Sequence, residues 1–167
     1  MPIVQHDMLR SLCFEIFKAT GIPKEDADII STHLVDSHLA GHDSHGTWLL
    51  PGLCTGNEAQ VHSVGRTQGS SRESVSAGID GKGANGIVAV TKAAEIAGEK
   101  VKQSTFGFVG LSHVTHICRL GDYPPRIAEQ GMIGMVWLNG GGLFMSPFGS
   151  ADRKLRPELI SARSNEI

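Results

Sequence analysis

Apolar positions recur at three- and four-residue spacing twice near the start of the chain. Leu9, Leu12, Cys13, Ile16 and Phe17 make the first stripe, and Ala27, Ile30, Leu34 and Val35 the second. That period places each set on one face of an α-helix. Gly21 follows the first stripe as a stop signal, because glycine accepts the left-handed backbone that ends helices. Pro23 suits the first turn of the second helix, and Glu25 and Asp26 suit its positive end. Gly41 should end that helix, and Asp43 or Ser44 should cap a shorter one through Leu50, weakened by Pro51 and Gly52. Residues 55–73 are polar, with several Gly and Ser, and read as a surface connection.

The period then changes. Residues 74–79 alternate as a strand does, and Ile87, Val90, Ala94, Ala97 and Val101 mark a helix face. The apolar runs 106–111 and 132–138 are bounded by polar turns and read as strands. A helix is expected over 123–130, with Pro124 and Pro125 in its first turn. Helices come first, then strand–helix–strand–helix–strand. This order predicts an α/β protein with an N-terminal helical layer. The expected division is a helical region and connection over 1–73, a partial α/β catalytic and cofactor domain over 74–155, and a divergent tail over 156–167.

Composition narrows the partners. The chain has 167 residues, 40% hydrophobic and 19% charged, an ordinary globular balance. A net charge of -2 and an aromatic content of 5% give neither a basic footprint nor a base-stacking surface, so no nucleic-acid partner is expected. No apolar run is long enough to cross a bilayer, and the N-terminus lacks a signal-peptide core, so no membrane partner is expected. Cys13, Cys54 and Cys118 are odd in number, far apart and without a CxxC pair, which fits a reducing cytoplasm.

Histidine supplies the candidate chemistry. His113 and His116 follow the 106–111 strand, and imidazole trades protons near neutral pH. One of them is a candidate acid/base, against the plainer reading of a turn residue. Cys118 is a candidate nucleophile, against the plainer reading of a packing residue. Asp43-Ser44-His45-Gly46 offers a hydroxyl and an imidazole at a helix start, where a carboxylate or carbonyl oxygen can bind; the plainer reading is a helix cap. His33, His38, His42 and His45 lie at near-helical spacing, but Gly41 interrupts them and no metal-ligand motif accompanies them, so no metal is expected. The plainer reading makes His33 and His38 partly exposed helix residues. Gly81-Lys82-Gly83-Ala84-Asn85-Gly86 matches GxGxxG, a pattern whose amides cradle phosphate. Asp80-Gly81 is also a turn dipeptide, and the turn reading is preferred.

These pieces together resemble the NAD(P)-dependent malate/L-lactate dehydrogenases of the second type. This family also includes ureidoglycolate, sulfolactate and diketogulonate dehydrogenases and imine reductases. The resemblance runs through Gly41-His42-Asp43-Ser44-His45-Gly46 and Leu50-Pro51, then Asp80-Gly81 and Gly83-Ala84-Asn85-Gly86. It continues with His116 to Gly121 and Tyr123, Ala128-Glu129-Gln130-Gly131-Met132-Ile133-Gly134, Asn139, and Ser146-Pro147-Phe148-Gly149. It covers the chain to about Leu155.

The resemblance implies an unusual α/β fold rather than a standard Rossmann domain, and hydride transfer between NAD or NADP and a small 2-hydroxy acid or 2-oxo acid. It places the acid/base on His116 and substrate contacts on Ser44 and His45. It places Asn139, Pro147 and Gly149 beside the cofactor or substrate. It also implies a homodimer in the complete form.

Three departures stand out. Leu49 replaces an arginine that in the family helps hold a carboxylate. Cys118 replaces the usual glycine of the histidine motif. The family's segment after a Lys-Leu-like pair is replaced here by Arg156-Pro157-Glu158-Leu159, and family members are longer, so the chain reads as C-terminally truncated. The competing expectation is an inactive fragment or pseudoenzyme serving only as an interaction module.

Overall fold

The computed structural model describes residues 3–55, 74–138 and, as backbone, 158–163. The chain divides into two compact units, Met1–Arg119 and Leu120–Ile167.

In the first unit, helices α1 (His6–Ala19) and α2 (Lys24–Leu39) form where the two apolar stripes predict them. Gly21 ends α1 in the left-handed region at φ 89°. Its N–H donates to the Lys18 carbonyl while the Ile22 N–H reaches back to that of Phe17. Gly41, at φ 71°, closes α2 in the same way through the His38 and Ser37 carbonyls. Both ends satisfy carbonyls that a helix otherwise leaves bare. Pro23 sits one position before α2 rather than inside its first turn.

The expected helix from Asp43 to Leu50 does not form. Two 3-10 turns, Asp43–His45 and Thr47–Leu49, flank Gly46, and a short α3 follows at Leu50–Thr55. Gly46 has an extended backbone, with ψ −155°, and this separates the two turns. Pro51 and Gly52 lie inside α3; a proline is tolerated there because a first-turn N–H has no helical partner to lose. The surface connection read over 55–73 lies, past Thr55, outside the described residues.

Strand β1 (Ser76–Ala84) and strand β2 (Phe108–Val114) are parallel neighbours joined through α4 (Gly86–Gln103). Both strands run beyond their predicted ends. Between Asp80 and Ala84 the register slips, with four residue steps on β1 set against two on β2. Lys82 at φ 48° and Gly83 at φ 84° absorb the extra length. The GxGxxG pattern is therefore neither a plain turn nor a free loop but a bulged strand running into a helix. The buried face of α4 carries Ile87, Val88, Thr91 and Gly98, while Val90, Ala94 and Ala97 are only half-buried.

The core of this unit joins Cys13 and Phe17 of α1, Ala27, Ile30 and Leu34 of α2, Leu53 of α3, Ile87 and Val88 of α4, and Cys118. Burying one such large side chain stabilises by about 1.5–3 kcal/mol. The carboxylate of Asp26, buried in α2, takes a 3.0 Å bond from Lys92 of α4 and ties the two helices together.

In the second unit, α5 (Tyr123–Ala128) packs on strand β3 (Ile133–Leu138). Its paired prolines occupy the first turn, as expected, and Asp122 accepts from the Arg126 guanidinium at 2.8 Å. A side chain at Gly134 would press on the Pro124 carbonyl at 2.7 Å, so glycine permits this close packing. Strand β4 (Glu158–Arg163) pairs antiparallel with β3, from Ile133 opposite Arg163 to Leu138 opposite Glu158. The hydrophobic pattern gave no strand in that stretch. Ile133, Met135 and Trp137, alternate residues on one face of β3, are exposed. No described helix is long and apolar enough to cross a membrane.

Candidate functional site

Two turns of the first unit bring histidines together. The turn after β2 carries His116, and the first 3-10 turn carries His45. Their rings stack with centroids 5.5 Å apart and planes 28° from parallel. His42 meets His45 edge-on at 4.7 Å. The four-residue motif after α2 and the turn after β2, far apart in sequence, thus share one small site.

Backbone contacts hold the His116 turn. The Thr115 N–H donates to the Ala84 carbonyl at 3.0 Å, and the Thr115 hydroxyl accepts from the Gly86 N–H at 3.1 Å. A side chain at Gly86 would overlap the carbonyl oxygens of Thr115 and His116. The Cys118 N–H donates to His116 Nδ1 at 3.0 Å. The next amide, of Arg119, donates to His33 Nε2 at 3.1 Å. Cys118 itself is left-handed, at φ 57°, a conformation costing a non-glycine residue about 1–2 kcal/mol. Its side chain, 5% exposed, reaches the core and anchors the turn. The structure favours packing over reactivity for this thiol.

Side chains hold the other turn. His38 Nε2 accepts the Thr47 N–H at 2.9 Å, so in the neutral ring Nδ1 carries the hydrogen and donates to Asp43 at 2.7 Å. The His38 ring fills the space where a Gly46 side chain would stand. Trp48 Nε1 donates to the Ser44 carbonyl at 2.7 Å, and Ser44 Oγ lies 2.9 Å from His45 Nδ1. Neither Asp43 nor Ser44 serves as a helix cap.

Burial pushes the His45 pKa down to about 4, helped by the neighbouring His42, His116, His33 and Arg119. His45 is therefore neutral at pH 7 and offers hydrogen bonds rather than charge. Leu49 packs against the core and supplies no cation. Arg119 is the cation coupled electrostatically to His45.

Ser44, His45 and His116 are brought together. Asn139, Pro147 and Gly149 lie outside the described residues. His113 points elsewhere. It is part of β2, is left-handed at φ 52°, and its Nδ1 meets the Asp80 carboxylate at 3.0 Å. The Lys82 N–H and then His113 hold that carboxyl below its usual range.

Sequence reasoning missed His33, which is fully buried rather than partly exposed. It falls three residues after Ile30 on the buried stripe of α2, and that spacing was a usable signal. It also missed the two amides after His116, for which side-chain patterns carry no signal.

The start of α4 offers no phosphate cradle. Asn85, itself buried, accepts from the N–H groups of Ile87 at 3.0 Å and Val88 at 3.3 Å. Gly86 donates to Thr115, and Ala89 to the Asn85 carbonyl. The first four amides are all committed, which removes the anion-binding reading of GxGxxG at this helix. Among the described residues, no group of three histidine, cysteine or acidic side chains is placed to hold a metal ion.

Comparison with known proteins places this chain in a family. Residues 4–156 match the family model for malate/L-lactate dehydrogenase. The L-sulfolactate dehydrogenase of Methanocaldococcus jannaschii is 30% identical over 170 residues, covering 98% of this chain and 48% of the relative. Hydroxycarboxylate dehydrogenase B of Escherichia coli K12 is 28% identical over 150 residues, covering 87% of this chain and 41% of the relative. The solved sulfolactate dehydrogenase from M. jannaschii superposes with a TM-score of 0.80 at 26% identity, over 97% of this chain and 47% of that one. The malate dehydrogenase of Pyrococcus horikoshii OT3 gives 0.77 at 26% identity, over 95% and 49%. The chain spans less than half the length of these curated relatives. The match across nearly all its residues, in sequence and in fold, assigns the chain to the malate/L-lactate dehydrogenase family.

Proposed function

We propose that this chain carries the proton-transfer half of a nicotinamide-dependent dehydrogenase acting on a small 2-hydroxy acid or its 2-oxo acid. The observation that carries this reading is the stacking of His45 on His116, at 5.5 Å, inside a chain that belongs to this family. NAD or NADP, when bound, supplies or accepts the hydride.

His116 is the acid/base. In reduction the ring, carrying a proton on each nitrogen, gives its Nε2 proton to the ketone oxygen as the carbon gains the hydride and is left neutral; oxidation reverses both movements. Ser44 and neutral His45 orient the substrate by hydrogen bonds. Asn139, Pro147 and Gly149 are proposed to line the cofactor side. The described residues fit the proton-transfer end of this chemistry, whereas the committed amides at the start of α4 do not fit the phosphates. A homodimer and a cytoplasmic location complete the proposal.

The test is NADH and NADPH consumption by the purified chain against a panel of 2-oxo acids, with His116→Ala beside it. Turnover in the parent chain and a loss of about 10²–10⁴-fold in the variant are expected, the range that general acid/base catalysis supplies. Equal turnover in the two would remove His116 from the role. Absence of turnover with every 2-oxo acid would favour the reading of an interaction module.

A further inference from the structure

Two consecutive amides follow His116, and each meets a different imidazole. The Cys118 N–H donates to His116 Nδ1 at 3.0 Å, and the Arg119 N–H to His33 Nε2 at 3.1 Å. A backbone amide can only donate. The ring nitrogen it meets must therefore present a lone pair. For a neutral ring, that assigns the hydrogen to the other nitrogen. The arrangement depends on the backbone at Cys118, whose φ of 57° is left-handed.

We propose that Cys118 is a positioning residue that locks the tautomer of His116: its amide holds Nδ1 as an acceptor, so the resting ring presents Nε2–H to the site. This deepens the reading of His116 as the acid/base and rests on it. An Nε2–H ring is a hydrogen-bond donor, matched to the carbonyl or carboxylate oxygen of a 2-oxo acid. It is not by itself a proton donor. If Nε2–H breaks and its proton moves to the ketone oxygen, the ring stays neutral only when Nδ1 already holds a proton. The Cys118 amide must then release Nδ1 before that proton can be held. Substrate recognition and proton transfer thus use different states of the same ring, and the peptide between Ile117 and Cys118 separates them.

Residue 118 sets how firmly the lock holds. Glycine adopts a positive φ without a side-chain penalty, whereas a β-branched residue resists it. Nitrogen-15 spectra of the histidine rings in the whole chain, near neutral pH and without substrate or cofactor, read the tautomer directly. His116→Gln identifies the His116 signals. The expected result is an unprotonated Nδ1 and a protonated Nε2 for His116, retained in Cys118→Gly and shifted toward protonated Nδ1 in Cys118→Val.

Protonated Nδ1 in the parent chain would overturn the lock. An unchanged Nε2–H ring in folded Cys118→Val would overturn the role of residue 118. Should the valine variant fail to fold, a protonated Nδ1 in the parent chain or in the glycine variant would still overturn the lock. The spectra need no turnover, so the lock and the dehydrogenase reading fail independently.

Discussion

The two turns that form the candidate site are built in opposite ways. The turn carrying Ser44 and His45 is held by side chains: the His38 ring bridges Asp43 and Thr47, and Trp48 ties back to Ser44. The turn carrying His116 is held by backbone: Thr115 on Ala84, Gly86 against two carbonyls, and the Cys118 amide on the ring itself. Side chains adjust by rotating, whereas carbonyls in a strand-to-helix junction do not. The first turn should therefore tolerate change and the second should not.

The sharpest way to break this contrast is to add one methyl group to each turn. Gly86→Ala drives a Cβ into the carbonyl oxygens of Thr115 and His116, which are fixed by the strand and by α4. A loss of about 3 kcal/mol is expected, at the upper end for overpacking. Gly46→Ala drives a Cβ into the His38 ring, which is partly exposed and can swing out at the cost of its bonds to Asp43 and Thr47. Here about 1–2 kcal/mol is expected, since each net hydrogen bond is worth about 1 kcal/mol. Chemical denaturation of both variants checks the order. A larger loss at Gly46 would reverse it.

A smaller effect comes from pH. His45 is held neutral, with its folded pKa lowered from 6.5 to about 4. Between those values the unfolded chain binds a proton that the folded chain refuses. Stability is therefore unaffected above pH 6.5 and falls as the pH drops from 6.5 toward 4. Removing the imidazole in His45→Gln should flatten that part of the stability profile. The half-exposed position keeps the effect modest, and an unchanged profile in the variant would show that His45 is not the group responsible.

The same contrast marks what was legible in the sequence. Helices α1 and α2 and their glycine stops followed from the spacing of Leu9 to Phe17 and Ala27 to Val35, because burial of one face decides a helix. The order of β1, α4, β2, α5 and β3 followed from the same kind of pattern. Side-chain motifs flagged His45 and His116. The bulge at Lys82–Gly83, the left-handed His113 and Cys118, and the amide on His116 were not legible, since backbone geometry leaves little trace in residue type. Cys118 was noticed as a candidate thiol and as a departure from glycine, and its positive φ gives that departure a physical meaning. Strand β4 escaped for another reason. It is recruited by pairing along β3, a non-local cause that a short mixed segment does not announce.

The central claim is that these two unlike turns form one site for a 2-oxo acid. The most direct measurement is titration of the nitrogen-15-labelled chain with pyruvate, following the ring signals of every histidine. Saturable shifts of His45 and His116 together, with His6 at the start of α1 unmoved, are the predicted result. Shifts confined to one of the two rings, or to neither, would contradict a shared site.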